Sequence, residues 1–194
     1  MLIEKAFKTV KCGKDPNKMG SRPNDVMYIK KMQKNSMKSS KFIRSRFIPD
    51  KLPFTIDDKY FLQKEDIIIS LKEPYMASTI SINIEDKVLI PNNYAVLRDI
   101  DTKKYNYIFV TNYLNLIAIK EVLEKKKNLN NTSDLTLTEI KEIDLPNISL
   151  AKQESLINLF EAINSRAIYY EMIMDNDKKI IEYALKEVLG DKNV

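Results

Sequence analysis

The chain has 194 residues, 44% of them hydrophobic, which suffices for one domain with a real core plus an appendage. It has no histidine, a single cysteine (Cys12) and three glycines, at 13, 20 and 190; this excludes Ser-His and Cys-His nucleophiles, a structural zinc site, an intramolecular disulfide and a Gly-rich phosphate cradle. The net charge of +5 is uneven, with 15 Lys+Arg against 6 Asp+Glu in residues 1–60 but 17 against 21 in residues 61–194, so a polyanion is expected on one side and an acidic DNA mimic is excluded.

In chain order, residues 1–25 mix lysines with Asp15-Pro16, Gly20 and Arg22-Pro23 and predict turns and loops. Asp25–Met32 (DVMYIKKM) reads as a strand. From Val26 to Pro49 stand seven basic residues (Lys30, Lys31, Lys34, Lys38, Lys41, Arg44, Arg46) and no acidic one. Gln33, Asn35, Ser36, Ser39 and Ser40 lie between them. Cations with interleaved hydroxyls and amides suit phosphate oxygens, so this stretch is the candidate DNA-contacting loop. Gln33, Asn35, Arg44 and Arg46 are its candidate base readers, because amides suit adenine and guanidinium suits guanine. A solvated basic loop without ligand is the alternative, and it would usually mix both signs of charge.

Phe61–Leu71 predicts a buried strand on its Ile67-Ile68-Ile69 run. Thr79–Ile84 and Lys87–Ile90 predict a hairpin around Glu85-Asp86, and Asn93–Leu97 a further strand. Tyr105–Leu123 changes period and predicts one amphipathic helix, followed by a polar loop at Lys125–Ser133. Leu135–Ile143 reads as a strand or a short helix, and Asp144-Leu145-Pro146 closes the domain. The expected division is a domain at 1–148, a long helix at 149–190 capped by Ser149, and a tail at 191–194.

Within that helix, Leu156, Phe160, Ile163, Ala167, Tyr170, Met174, Asp177, Ile181, Ala184 and Val188 are spaced alternately four and three residues apart. All but Asp177 suit an apolar seam, and the mean spacing of 3.5 residues keeps that seam on a partner helix. A rod about 60 Å long, at 1.5 Å per residue, has more seam than a small domain can cover. A second copy, a second helix or another protein would supply the missing surface. The alternative is a core helix broken at Asp175-Asn176-Asp177.

No apolar run is long enough to span a membrane, the N-terminus lacks a signal-peptide apolar region, and the lone cysteine fits a reducing cytoplasm. One nuclease-like spacing exists: Pro49-Asp50 followed by Glu85-Asp86-Lys87 fits a PD…(D/E)xK pattern for a divalent metal. In a chain this rich in charge such a match is expected by chance. A protein-interaction module docking an acidic partner is a third reading.

The order of segments adds more. DIIISL at 66–71, IPNNYAVLR at 90–98, YNYIFVTNYLN at 105–115 and LTLTEIKEIDLPNISLAKQESLINLF at 135–160 follow one another. This progression resembles the target recognition domain and adjoining helix of type I restriction-modification specificity subunits, over roughly residues 60–189. The matching positions are Asp66–Ser70, Asn92–Arg98, Tyr105–Asn115 and Ile140–Pro146, with Gln153 and Ile157. Glu65 stands where the family usually has glycine, the 125–133 loop lacks its customary glycine, and only one recognition domain and one helix are present. The chain thus resembles half a specificity subunit.

The resemblance implies an α/β (α+β) target-recognition-like domain with a C-terminal long coiled-coil helix, and no catalysis of its own. It implies a homodimer, reading a bipartite palindromic target in double-stranded DNA. It further implies that a DNA adenine methyltransferase, to which S-adenosylmethionine belongs, is a partner, with a restriction subunit as a further one.

Overall fold

A computed structural model describes residues 1–15, 27–32, 37–38, 41–42, 47–52, 56–79 and 87–189. The chain divides into two compact units, residues 1–154 and 155–194. Elements of the first run α1 (Ile3–Ala6), β1 (Phe7–Cys12), β2 (Met27–Met32), β3 (Met37–Lys38), β4 (Lys41–Phe42), β5 (Phe47–Leu52), a 3-10 turn (Asp58–Tyr60), β6 (Ile67–Ser70), β7 (Ala77–Thr79), β8 (Val88–Leu89), β9 (Tyr94–Ile100), α2 (Tyr107–Leu114), α3 (Ile117–Leu129) and α4 (Leu137–Lys141).

Among the described residues the strands form a six-stranded sheet, ordered β1-β9-β6-β7-β4-β3, and a three-stranded sheet, ordered β5-β2-β8. The β-branched run Ile67-Ile68-Ile69 and the stretch Tyr94–Leu97 are buried without alternation, as central strands covered on both faces must be. They pair antiparallel, Ile68 opposite Val96, and β1 closes on the other side of β9 with Thr9 opposite Arg98. Leu62, Ile68, Val88, Ile90, Tyr94 and Val96 form one buried cluster that draws on both sheets.

Several local expectations give way to tertiary pairing. Residues 1–25 are not all loop: Ile3, Ala6 and Phe7 are buried, and β1 is recruited by β9. Of the expected hairpin at Thr79–Ile84 and Lys87–Ile90, residues 80–86 lie outside the described residues; Thr79 and Val88–Leu89 belong to different sheets. β7 sits between β6 and β4, whereas β8 runs parallel to β2 with Lys31 opposite Leu89. Alternation identifies a strand but does not choose its neighbour.

The expected 105–123 helix is two helices, broken where Leu116 turns extended (φ −61°, ψ 140°). Beside the break, the Asn115 side chain serves the sheet: Oδ1 accepts from Ala77 N (3.0 Å) and Nδ2 donates to Ala77 O (2.8 Å) and Thr111 O (3.0 Å). α3 then continues through the expected loop to Leu129, where good helix formers and buried Leu123 carry it. It ends near Asn131, whose φ of 52° supplies the left-handed residue that glycine often provides after a helix.

The strand-or-helix choice at 135–143 is decided by a capping box. Glu139 Oε2 accepts from Thr136 N (2.6 Å), and Thr136 Oγ1 accepts from Glu139 N (3.5 Å). Helix α5 (Leu150–Leu189) has 40 residues. Ser149 Oγ accepts a long 3.4 Å bond from Lys152 N at its start. The helix runs unbroken through Asp175-Asn176-Asp177, where Asp175 pairs with Lys178 one turn on (3.8 Å). Poor helix formers cost only tenths of a kcal/mol each, ~0.7 at most, which one turn of a long helix absorbs. Among the described residues, no helix is long and apolar enough to cross a membrane.

Candidate nucleic-acid interface

The best-defined polar feature of the first unit is a buried ion pair. Asp66 opens β6 and is fully buried, and Arg98 reaches it from the neighbouring strand. Arg98 Nε donates to Oδ1 and Nη2 to Oδ2, both at 2.6 Å, while Gln63 N donates to Oδ2 at 2.8 Å. Burial raises the Asp66 carboxyl above its ordinary range, against the pull of Arg98 and the Gln63 N–H. The guanidinium also donates to Phe61 O (2.8 Å) and Lys59 O (3.2 Å), which ties down the 3-10 turn above it. Glu65, just before Asp66, has φ 67°, a left-handed conformation that explains why glycine is usual there.

On that turn sits Tyr60, half-buried, with three lysines around its ring. The ammonium groups of Lys11, Lys59 and Lys14 lie 5.2, 5.3 and 5.4 Å from the ring centroid, within cation–π range. Lys11 comes from β1, and its Nζ donates to Lys59 O. Desolvation, reinforced by the Arg98 charge, lowers the Lys11 ammonium below its usual value. Lys14 is fixed through its backbone, its N–H donating to Ile90 O at 2.8 Å. Gly13 makes this possible, because a Cβ there would stand 2.1 Å from the Pro91 carbonyl oxygen. Two carboxylates border the patch: Asp57 pairs with Lys59 (2.7 Å) and Asp58 with Lys87 (2.8 Å). Lys87 also lies 5.3 Å over the Phe61 ring.

Of the residues expected to contact DNA, Lys30 and Lys31 lie in β2, Lys38 in β3 and Lys41 in β4. Lys38 and Lys41 stand opposite each other in register. The described residues of the basic segment therefore belong to strands of two different sheets. Gln33, Lys34, Asn35, Arg44 and Arg46 lie outside the described residues. The lysines around Tyr60 were missed because Lys11 and Lys14 stand in a stretch read as turns and loops, and Lys59 lies far from them along the chain. Of the nuclease-like spacing, Asp50 lies in β5 opposite Ile29, Lys87 bonds Asp58, and Glu85 and Asp86 lie outside the described residues. Among the described residues, no three His, Cys, Asp or Glu side chains cluster to hold a metal.

In the second unit the seam residues Leu156 and Phe160 are half-buried, and Ile163, Ala167, Tyr170, Met174, Ile181, Ala184 and Val188 are exposed. Tyr170 is 53% and Val188 82% exposed, far beyond what such side chains show in a core. Arg166 leans on Tyr170, its Nη2 donating to the hydroxyl at 3.0 Å. Exposed apolar side chains also lie off the seam, at Tyr169, Met172, Ile173, Ile180 and Tyr183. The heptad reading took in only one face of this helix.

Gln153, one of the matching positions, is fully buried at the base of α5. Its Oε1 accepts from Asn106 N (2.9 Å), and its Nε2 donates to Lys104 O (2.7 Å) and Ile148 O (3.0 Å). One amide thus ties two backbone segments, 104–106 and the one at Ile148, to the start of α5, and Asn106 in turn caps α2.

No family model matches the chain, and no curated protein matches it. Structural similarity is clear by contrast. The HsdS subunit from Thermoanaerobacter tengcongensis superposes with a TM-score of 0.68 at 15% identity, over 98% of this chain and 48% of that one. A chain from a structure addressing complex assembly and conformational transition of the type I R-M system gives 0.64 at 12% identity, over the same shares. The protein spans about half the length of these neighbours. Its fold, a mixed α/β unit followed by a long helix, is that of about half an HsdS specificity subunit of a type I restriction-modification system.

Proposed function

We propose that the chain is a DNA-binding specificity subunit that directs a modification methyltransferase to its target. Residues 1–148 read the duplex, and residues 149–190 pair with a second copy and set the distance between two recognition domains. The chain itself performs no catalysis. S-adenosylmethionine belongs to the methyltransferase, and a restriction subunit joins the same complex. The setting is cytoplasmic.

The observation that carries this reading is the long helix with its apolar seam exposed, on a fold matching about half of each neighbour. Pairing two copies along that seam restores two recognition domains and two helices, with an isologous interface. The twofold axis then dictates a palindromic, bipartite site. Asp177 within the seam favours one register of pairing over others, at a cost in stability.

The test is to tag the protein in its native host and identify what co-purifies at moderate salt. A DNA adenine methyltransferase in stoichiometric amount is expected. Recovery of the chain's own dimer alone would identify a stand-alone binder and overturn the role proposed here.

A further inference from the structure

We propose that Lys11, Lys14 and Lys59, gathered round Tyr60, form a second phosphate clamp on duplex DNA, separate from the basic segment at 30–46. It rests on the DNA-binding reading above and gives that reading a subsite of its own.

Three ammonium groups within 5.4 Å of one ring centroid lie no more than about 11 Å apart, close to the ~10 Å Debye length at 0.1 M salt. Asp57 already offsets part of their mutual repulsion, and a phosphate set among them relieves the remainder. Lys59 and Lys87 are matched by Asp57 and Asp58, and Lys11 and Lys14 add two further charges to the patch. Lys11 spends one of its three donors on Lys59 O and keeps the others for a ligand. Resting on the tyrosine face, the lysine stems have already lost part of the rotamer freedom that binding would remove. The ring sits on a turn anchored from below by Arg98, so the patch is held from inside the fold.

The sheet register favours a polymeric anion, because it brings a second basic stretch of backbone near the turn. Phe61, next to Tyr60, bridges Leu89, and Leu89 stands opposite Lys31 of β2. Two strand spacings of about 4.8 Å therefore separate the backbone of the turn from that of the Lys30-Lys31 segment. A duplex backbone spans that distance, and a single phosphate does not.

The decisive experiment compares the full chain with Lys11→Gln/Lys14→Gln/Lys59→Gln, and with a helix control, Lys120→Gln/Lys125→Gln/Lys141→Gln, that removes the same charge. Binding to a mixed-sequence duplex is measured across a salt series, with thermal unfolding verifying the fold. Each lost contact should lower the slope of log K against log salt by about 0.9. The clamp variant should therefore lose affinity steeply at low salt, and the control should keep the parent slope. A single Lys14→Gln substitution, which leaves the turn's hydrogen bonds and its Asp57–Lys59 pair intact, should lower the slope by about 0.9. Parent-like slope and affinity in the clamp variant would remove the clamp while leaving the DNA-binding reading in place. An equal loss in the control would reduce the effect to net charge and also remove the clamp. No duplex binding by the parent chain would end both.

Discussion

Residues 1–154 and residues 155–189 satisfy their side chains in opposite ways. In the first unit the described apolar strands at the centre are covered, the buried Asp66–Arg98 ion pair is bidentate, and Asn115, Glu139 and Gln153 each find backbone or side-chain partners. In the second, tyrosines, isoleucines and methionines stand more than half exposed along a helix that has no core of its own. An isolated helix draws most of its stability from packing its apolar face. The first unit thus contains the reasons for its own fold, and the second leaves its apolar side chains exposed.

That contrast is open to attack from both sides. The largest effect should come from Asp66→Asn, which leaves the Arg98 guanidinium buried opposite a neutral amide. It should cost the first unit about 3–5 kcal/mol in denaturant unfolding, and a loss near zero would mean that the pair is not what holds β6 to β9. A smaller effect of opposite sign is expected at Glu65, where glycine relieves the left-handed backbone. Glu65→Gly should stabilise by about 0.5–1 kcal/mol, and destabilisation would point to a side-chain role for Glu65. The smallest change in stability should follow Ile163→Asp with Tyr170→Asp. The first unit should unfold within about 0.5 kcal/mol of the parent, while the mass in solution falls to that of one chain. An unaltered mass would remove the seam as the site of pairing.

Much of the first unit is legible in the sequence where local chemistry is strong. The Ile67–Ile69 run reads as a buried strand and is one, Asn93–Leu97 reads as a further strand and largely falls in β9, and the matching positions Asp66, Arg98 and Gln153 turn out to be buried anchors. The two departures from the resemblance are equally readable afterwards. At Glu65 and Asn131 the backbone is left-handed, and these are the two places where glycine was missed. Where signals were weak or depended on distant partners, reading failed. The 1–25 stretch looked like loop because β1 exists only through β9, and the break after α2 hides in sequence that has good helical period throughout.

The candidate DNA-binding face divides along the same line. A run of seven basic residues without an acidic one is visible as text, because clustering along the chain needs no fold. Lys11, Lys14 and Lys59 meet only because β1 passes beside the 3-10 turn and Gly13 lets residue 14 press against residues 90–91.

By itself, the sequence determined the long helix, its apolar seam, the central strands and the uneven charge, since each follows from period and composition within one segment. Tertiary structure alone decided that β1 joins β9, that Lys38 stands opposite Lys41 in register, and that three lysines surround one tyrosine. These depend on which segments pair, and pairing is set by the energy of the whole packed unit rather than by any stretch of it.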